Sequence, residues 1–231
     1  MNKEFLKKIK LILPKFPSIQ GKEEYFNSAV LVLLTLIDRE YHFVFQKRKN
    51  DIRQGSEICF PGGGYDFQKD KNFKNTAIRE TIEELGVSKS NIDIIGQLDT
   101  VVAPMGATID TFLAILKVDS LSKLNINRDE IEKLFHIPIS YFLKNKPEEY
   151  SVLLKIFPSY KNKTGEEIIL FPSKQLNLPE IYHKPWGNKK YKVFVYKING
   201  EIIWGITARL IYDLVLRISK NKDVEELFWT L

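Results

Sequence analysis

The 231-residue chain has a single cysteine, Cys59. One thiol excludes an internal disulfide framework and fits a reducing compartment, so the cytoplasm is the expected location. Long apolar runs are also missing. The longest, residues 29–37, falls far short of the ~20 residues that span a bilayer. It reads as a buried strand, and no membrane partner is expected. The N-terminus is basic, but Leu11-Ile12-Leu13 is cut off by Pro14 and Lys15, too short for a secretory apolar region, and no small-residue cleavage site follows. Phe5, Leu6, Ile9 and Ile12 recur at helical spacing instead, which predicts an amphipathic helix docked on the domain. No repeat or low-complexity tract is present. The three histidines, His42, His136 and His183, are scattered without ligand spacing, so no chemistry is assigned to them. Cys59, beside an apolar strand, reads as a small hydrophobe. The net charge is +6. That balance suits anionic substrates. The lysines and arginines are spread over separate clusters, none dense enough for a nucleic-acid stripe, and nucleic acid is not an expected partner.

What is present is a chain of globular composition, 44% hydrophobic and 28% charged, long enough for a sizeable core. It reads as a single domain over 1–231, with residues 1–20 as a helical extension. Strands are predicted near 29–37, 41–48, 57–60, 92–101 and 107–118, with a helix over 73–85 after the third. Short helices are predicted near 128–134 and 138–145, and strands near 150–156 and 166–171. Asn199-Gly200 marks a tight type I′ turn between strands over 191–198 and 200–204. Ile206, Leu210, Leu214 and Ile218 are in phase for a final helix over 206–219. Strands interspersed with helices give an α/β sandwich. Residues 145–190 hold many of the helix and strand breakers and read as a substrate-side insertion or a homodimer contact.

The chemistry concentrates in Arg79-Glu80-Thr81-Ile82-Glu83-Glu84-Leu85-Gly86-Val87. On a helix, Glu80, Glu83 and Glu84 stand at i, i+3 and i+4 and share a face. Like charges at that spacing repel. A divalent cation reverses the sign, because carboxylate oxygens are the ligands Mg²⁺ takes, alongside water and substrate phosphates. Ile78, Thr81, Ile82 and Leu85 make the opposite, mostly apolar stripe, and Gly86 stands where a helix-ending glycine belongs. Upstream, Phe60-Pro61-Gly62-Gly63-Gly64 reads as a strand end followed by a loop whose backbone can approach a ligand closely. A charged helix face is more often merely solvated, but the glycine run in front of this one and the glycine after it point to a site.

Taken together these residues resemble the box of the Nudix hydrolases, G-x5-E-x7-R-E-U-x-E-E-x-G-U with U a bulky apolar residue. The second half matches from Arg79 to Val87, except that Thr81 takes the first U position. In the first half, counting from Gly64, the acidic position falls on Asp70 rather than a glutamate, and one extra residue separates it from Arg79. Arg48, Arg53 and Phe60-Pro61-Gly62-Gly63 further resemble the signature of the coenzyme A diphosphatase branch, with Gly55 or Ser56 standing for its glycine. Asn127-Arg128-Asp129-Glu130, Phe135-His136-Ile137-Pro138 and Ile203-Trp204-Gly205-Ile206-Thr207-Ala208-Arg209 are similar to segments of the same branch. On the residues alone, Trp204 reads as a buried core aromatic, and Thr207 and Arg209 as the opening of the final helix.

The resemblance implies a Nudix-like α/β/α sandwich with a mixed sheet, and hydrolysis of a diphosphate bond with Mg²⁺ or Mn²⁺. It implies Glu80, Glu83, Glu84 and the backbone at Gly63 as metal ligands, and Arg79 as the residue orienting a glutamate. Glu80 or Glu130 would take the proton from the attacking water. Arg48, Arg53, Gly62 and Gly64 would meet the substrate. That substrate is expected to be a small nucleoside-diphosphate-linked molecule, coenzyme A or a derivative first. ADP-ribose, dinucleotides or capped RNA are the alternatives within the family, and a non-catalytic nucleotide-binding module is the alternative outside it.

Overall fold

The structure, a computed structural model, describes residues 3–15, 18–221 and 223. In chain order the elements are α1 (Lys3–Ile12), β1 (Phe26–Ile37), β2 (Glu40–Arg48), β3 (Ile58–Cys59), β4 (Gly62–Gly64), α2 (Phe73–Leu85), β5 (Ile92–Gln97), β6 (Val101–Ala103), β7 (Ala107–Leu116) and β8 (Ile131–Pro138). There follow α3 (Ile139–Lys144), β9 (Glu148–Ile156), β10 (Ser159–Lys161), β11 (Glu167–Ile169), β12 (Trp186–Ile198), β13 (Glu201–Trp204) and α4 (Gly205–Lys220).

β1 explains the layering. Its apolar run is buried on both faces, and alternate residues go to different cores, as the period of a strand requires. Ala29, Leu31 and Leu33 face one cluster, with Ala77 and Leu85 of α2 and Phe112, Ala114 and Leu116 of β7. Val32 and Leu34 face the other, with Phe43, Phe45, Phe60, Phe142 of α3, and Leu210, Ile211, Leu214 and Val215 of α4. The sheet is mixed, since β1 runs parallel to β7 but antiparallel to β2 and β4. The expected sandwich is therefore present: α2 covers one face of the sheet, and α3 and α4 the other. A second, three-stranded sheet of β9, β12 and β13 joins the α4 side through Phe194, Tyr196, Ile198 and Ile203.

Four expectations are corrected. The predicted helix near 128–134 is instead the start of β8, which pairs antiparallel with β2 from Arg48↔Ile131 to His42↔Pro138. An edge of the sheet was open there, and hydrogen bonding along β2 outweighs a weak helical preference. The three glycines after Pro61 are a strand rather than a loop, paired to β1 from Val30↔Gly62 to Ser28↔Gly64. Trp204 is 47% exposed rather than core, since its neighbour Ile203 takes the inward position. Finally, α1 forms as read but is not docked: Phe5 is 54% and Ile12 80% exposed. The Asn199-Gly200 turn is found, with both residues at positive φ (51° and 81°), as a type I′ turn requires.

Candidate active site

α2 starts at Asn72, whose Oδ1 accepts from the Asn75 amide at 3.0 Å, and stops at Gly86, where φ is 65°. Between these caps the three glutamates of the box occupy three different environments. Glu83 is exposed, Glu80 is half-buried, and Glu84 is buried with 2% exposure. Thr81, the odd residue in the box, is fully buried, and its hydroxyl donates to the Ala77 carbonyl at 2.7 Å. A polar side chain is tolerated at an apolar position because its hydroxyl is satisfied within the helix.

β4 runs against this helix. The Gly62 amide donates to Glu84 Oε2 at 3.1 Å. A Cβ added at Gly63 would sit 2.4 Å from the Glu80 carboxylate, so the close approach of strand to helix requires glycine there. The Gly64 carbonyl accepts from Arg79 Nη2 at 3.3 Å. Each residue of the glycine strand thus meets one side chain of the box.

Arg79 ties the arrangement together. Its Nη1 donates to Glu80 Oε1 at 2.8 Å and to Glu83 Oε2 at 3.1 Å. On its other edge, Nε and Nη2 form a two-pronged pair with Asp70 at 3.0 and 2.9 Å. Asp70 is buried and also accepts from the Thr76 hydroxyl at 2.9 Å and the Asp66 amide at 3.2 Å. These bonds, Arg79 first, hold its carboxyl down at about 2, and the same pair raises the Arg79 guanidinium above its usual range. The shorter acid at the box's first acidic position thus reaches its arginine despite the extra residue between them. Its role as anchor was not read from the sequence, although the box position was the available signal.

Glu84 is the most perturbed carboxylate. Burial pushes it up to about 8, against the pull of hydrogen bonds from Gln46 and the Gly62 amide. Burial likewise raises Glu80, with Arg79 opposing. Arg48, at the end of β2, places Nη1 3.9 Å from Glu84 Oε1, and its Nε donates to the Arg53 carbonyl at 3.3 Å. The loop between β2 and β3 is tightly wound, with Gln54 and Ser56 at positive φ (56° and 62°). Ser56 takes a conformation that favours glycine at the place where a glycine was expected. Arg53 is exposed in that loop. Glu130 lies in the turn before β8; its carbonyl accepts from the Lys49 amide at 2.8 Å and its Oε1 from Asn127 at 3.3 Å. Its charge is felt at Glu80, so chain folding brings this distant glutamate toward the helix.

Two further features were not legible. Gln46 is fully buried between Cys59 Sγ, 3.6 Å from its Nε2, and Glu84, and its Oε1 has no hydrogen-bond partner among the described residues. Desolvation and the charge of Glu84 push the Cys59 thiol up to about 11, which keeps it an unreactive small hydrophobe. His42 and His136, unrelated in sequence, meet across β2 and β8 with their Nδ1 atoms 2.9 Å apart.

Three carboxylates on one helix are the donor type that a hard divalent cation takes. Among the described residues, no three His, Cys, Asp or Glu side chains are grouped closely enough to hold a metal ion as they stand. Arg79 spans Glu80 and Glu83 instead, with its guanidinium hydrogen-bonded to both carboxylates.

A mixed sheet between helices, with a carboxylate helix packed on a glycine strand, defines the class of fold the box anticipated. Residues 26–156 match the NUDIX domain, more than half of the chain, and the chain belongs to the Nudix hydrolase family as a pyrophosphohydrolase. It is 23% identical over 217 residues to an uncharacterized Nudix hydrolase NudL of Pectobacterium atrosepticum, covering 94% of both chains. It is 37% identical over 94 residues to the peroxisomal coenzyme A diphosphatase ndx-8 of Caenorhabditis elegans, covering 40% of this chain and 39% of that protein. It is 29% identical over 127 residues to the human mitochondrial coenzyme A diphosphatase NUDT8, covering 54% of this chain and 53% of that protein. Nudix hydrolases generally use divalent metal ions. No helix among the described residues is long and apolar enough to cross a membrane.

Proposed function

We propose that this enzyme hydrolyses the diphosphate bond of coenzyme A or its derivatives, with Mg²⁺ or Mn²⁺, releasing adenosine 3′,5′-bisphosphate and a 4′-phosphopantetheine species. The observation that carries the reading is Arg48, a residue of the branch signature, which reaches from the end of β2 to within 3.9 Å of the box carboxylate Glu84. A cation stands there beside the acidic cluster, where a substrate phosphate would meet both.

In this reading Glu80, Glu83, Glu84 and the backbone at Gly63 hold the cation, which when bound polarises the diphosphate and acidifies water. Arg79, anchored on Asp70, fixes Glu80 and Glu83 in position. Glu130 takes the proton of the attacking water; of the two candidates it is the one that does not accept a hydrogen bond from Arg79. Arg53 and Arg48 receive substrate phosphate, while Gly62 and Gly64 shape the floor through their bonds to the helix. Water adds across the bridging P–O bond and two phosphomonoesters leave.

The test is turnover of coenzyme A, dephospho-coenzyme A and ADP-ribose with Mg²⁺ and with Mn²⁺, products identified by mass. A charge-assisted bond to the 3′-phosphate contributes roughly 1.5–3 kcal/mol, so dephospho-coenzyme A should be about tenfold to a hundredfold poorer, and Arg53→Ala should narrow that gap. Equal rates on the two coenzymes remove the 3′-phosphate argument. Faster turnover of ADP-ribose than of either assigns the enzyme to another Nudix substrate.

A further inference from the structure

Among the described residues, helix α1 contributes no side chain to either buried cluster. Its apolar residues face solvent: Phe5, Leu6 and Ile12 are all about half or more exposed. They are nonetheless ordered around the helix. At 100° per residue, Phe5, Leu6, Ile9 and Ile12 fall within an arc of about 120°, the width of a buried stripe, while Leu11, 84% exposed, lies outside it on the side of Glu4 and Lys7. Lys8 and Lys10 flank that arc on its two sides, and Lys7 lies on the far side. Between residues 3 and 15 the sequence holds five lysines and one acid, Glu4, and that acid is paired with Lys8 at 3.7 Å on the exposed surface.

An apolar stripe bordered by lysines selects its occupant. A second copy of the same helix would bring lysine against lysine. A ten-residue helix is only about 15 Å long, and one face of it supplies far less than the ~1,200 Å² that a specific protein interface buries. An anionic lipid surface meets both requirements. Its headgroups attract the flanking lysines, and its acyl boundary accepts side chains that stand only a few ångströms proud of the helix.

We propose that α1 is an interfacial anchor, lying flat in the surface of an anionic bilayer with Phe5, Leu6, Ile9 and Ile12 toward the acyl chains and its lysines among the headgroups. Such a helix lies on the membrane and does not span it. The catalytic body, carried on the far side of residue 18, stays in water. This inference is independent of the substrate assignment.

The experiment is vesicle co-sedimentation of the full chain, comparing phosphatidylcholine alone with phosphatidylcholine containing phosphatidylserine. Sedimentation with the anionic vesicles only, abolished by high salt, is expected. Each lysine near the surface strengthens binding roughly fivefold. The Lys8→Glu/Lys10→Glu double variant should therefore bind anionic vesicles more than about tenfold more weakly. Phe5→Ser/Ile12→Ser should lose binding with an unchanged thermal midpoint, because those side chains touch no core. Recovery of the wild-type chain in the supernatant with anionic vesicles overturns the proposal. So does equal sedimentation of Phe5→Ser/Ile12→Ser, or a vesicle-free dimer that dissociates on that double substitution.

Discussion

Two amphipathic helices of this enzyme have opposite fates. α1 gathers Phe5, Leu6, Ile9 and Ile12 on one side, with Leu11 alone among its charged residues, yet that apolar side lies open to solvent. α2 separates apolar from polar residues poorly, carrying Thr76, Thr81 and Glu84 on its inner side, yet it is packed into the body. Segregation along a helix says which face prefers burial; it does not supply the surface that buries it. α2 has that surface in Ala29, Leu31 and Leu33 of β1 and Phe112 of β7. It also has polar partners for each inward-facing polar group: Asp70 for Thr76, the Ala77 carbonyl for Thr81 and the Gly62 amide for Glu84. Polar groups enter a core when their hydrogen bonds are met there. Among the described residues, no side chain of α1 joins either buried cluster.

The sharpest test of that contrast is Leu85→Ala at the end of α2. Leu85 is fully buried, and its truncation should cost about 3–4 kcal/mol in urea unfolding. A loss below about 1 kcal/mol would mean that α2 is held by its polar network rather than by its packing. Next comes Glu84→Gln, which removes a proposed metal ligand with almost no change of volume. Loss of an outer partner of a metal site commonly costs tenfold to a hundredfold, so if Glu84 is the direct ligand proposed above, turnover should fall by about a hundredfold or more while the fold persists. Near-normal turnover at limiting Mg²⁺ would remove Glu84 from the metal site.

Asp70→Asn should destabilise the body by about 2 kcal/mol, because Arg79 keeps its charge and loses its strongest partner. The pH dependence has a definite sign. The Asp70 carboxyl lies near 2 in the folded chain, below its ordinary 3.8. Its contribution is therefore complete above about pH 4 and is lost as pH falls through about 2. Acid titration of unfolding should show that loss in the wild type and not in Asp70→Asn; identical acid limbs would dissolve the anchor role. The smallest effect belongs to Leu11→Ala on α1. At 84% exposure it should stay within about 0.5 kcal/mol in the absence of lipid. A cost comparable to that of Leu85→Ala would show that α1 is buried against something in solution.

The box itself was legible, because its requirements are local. Glutamates at helical spacing, a capping glycine and a glycine run are set by residues a few positions apart. β1, α2, β7, the Asn199-Gly200 turn and α4 were readable for the same reason. The strand at 131–138 was not. Ile131-Glu132-Lys133-Leu134 is compatible with either element, and only the open side of β2 chose between them. The anchoring of Arg79 by Asp70, the partnership of Gln46 with Glu84, the approach of Glu130 to Glu80 and the meeting of His42 with His136 all join residues distant along the chain or in different elements. Spacing could not rank them.

The sequence by itself thus determined the family, the acidic helix and the alternation that layers β1 between two cores, since each follows from covalent spacing and the periods of helix and strand. The tertiary structure decided how three similar glutamates came to differ. Burial against β4 pushes Glu84 up to about 8, while Glu83 stays in water. It also decided that Phe5, Leu6 and Ile12 of α1 would stand exposed. Burial and its electrostatic consequences depend on what the rest of the chain places alongside a residue, and no local pattern encodes that.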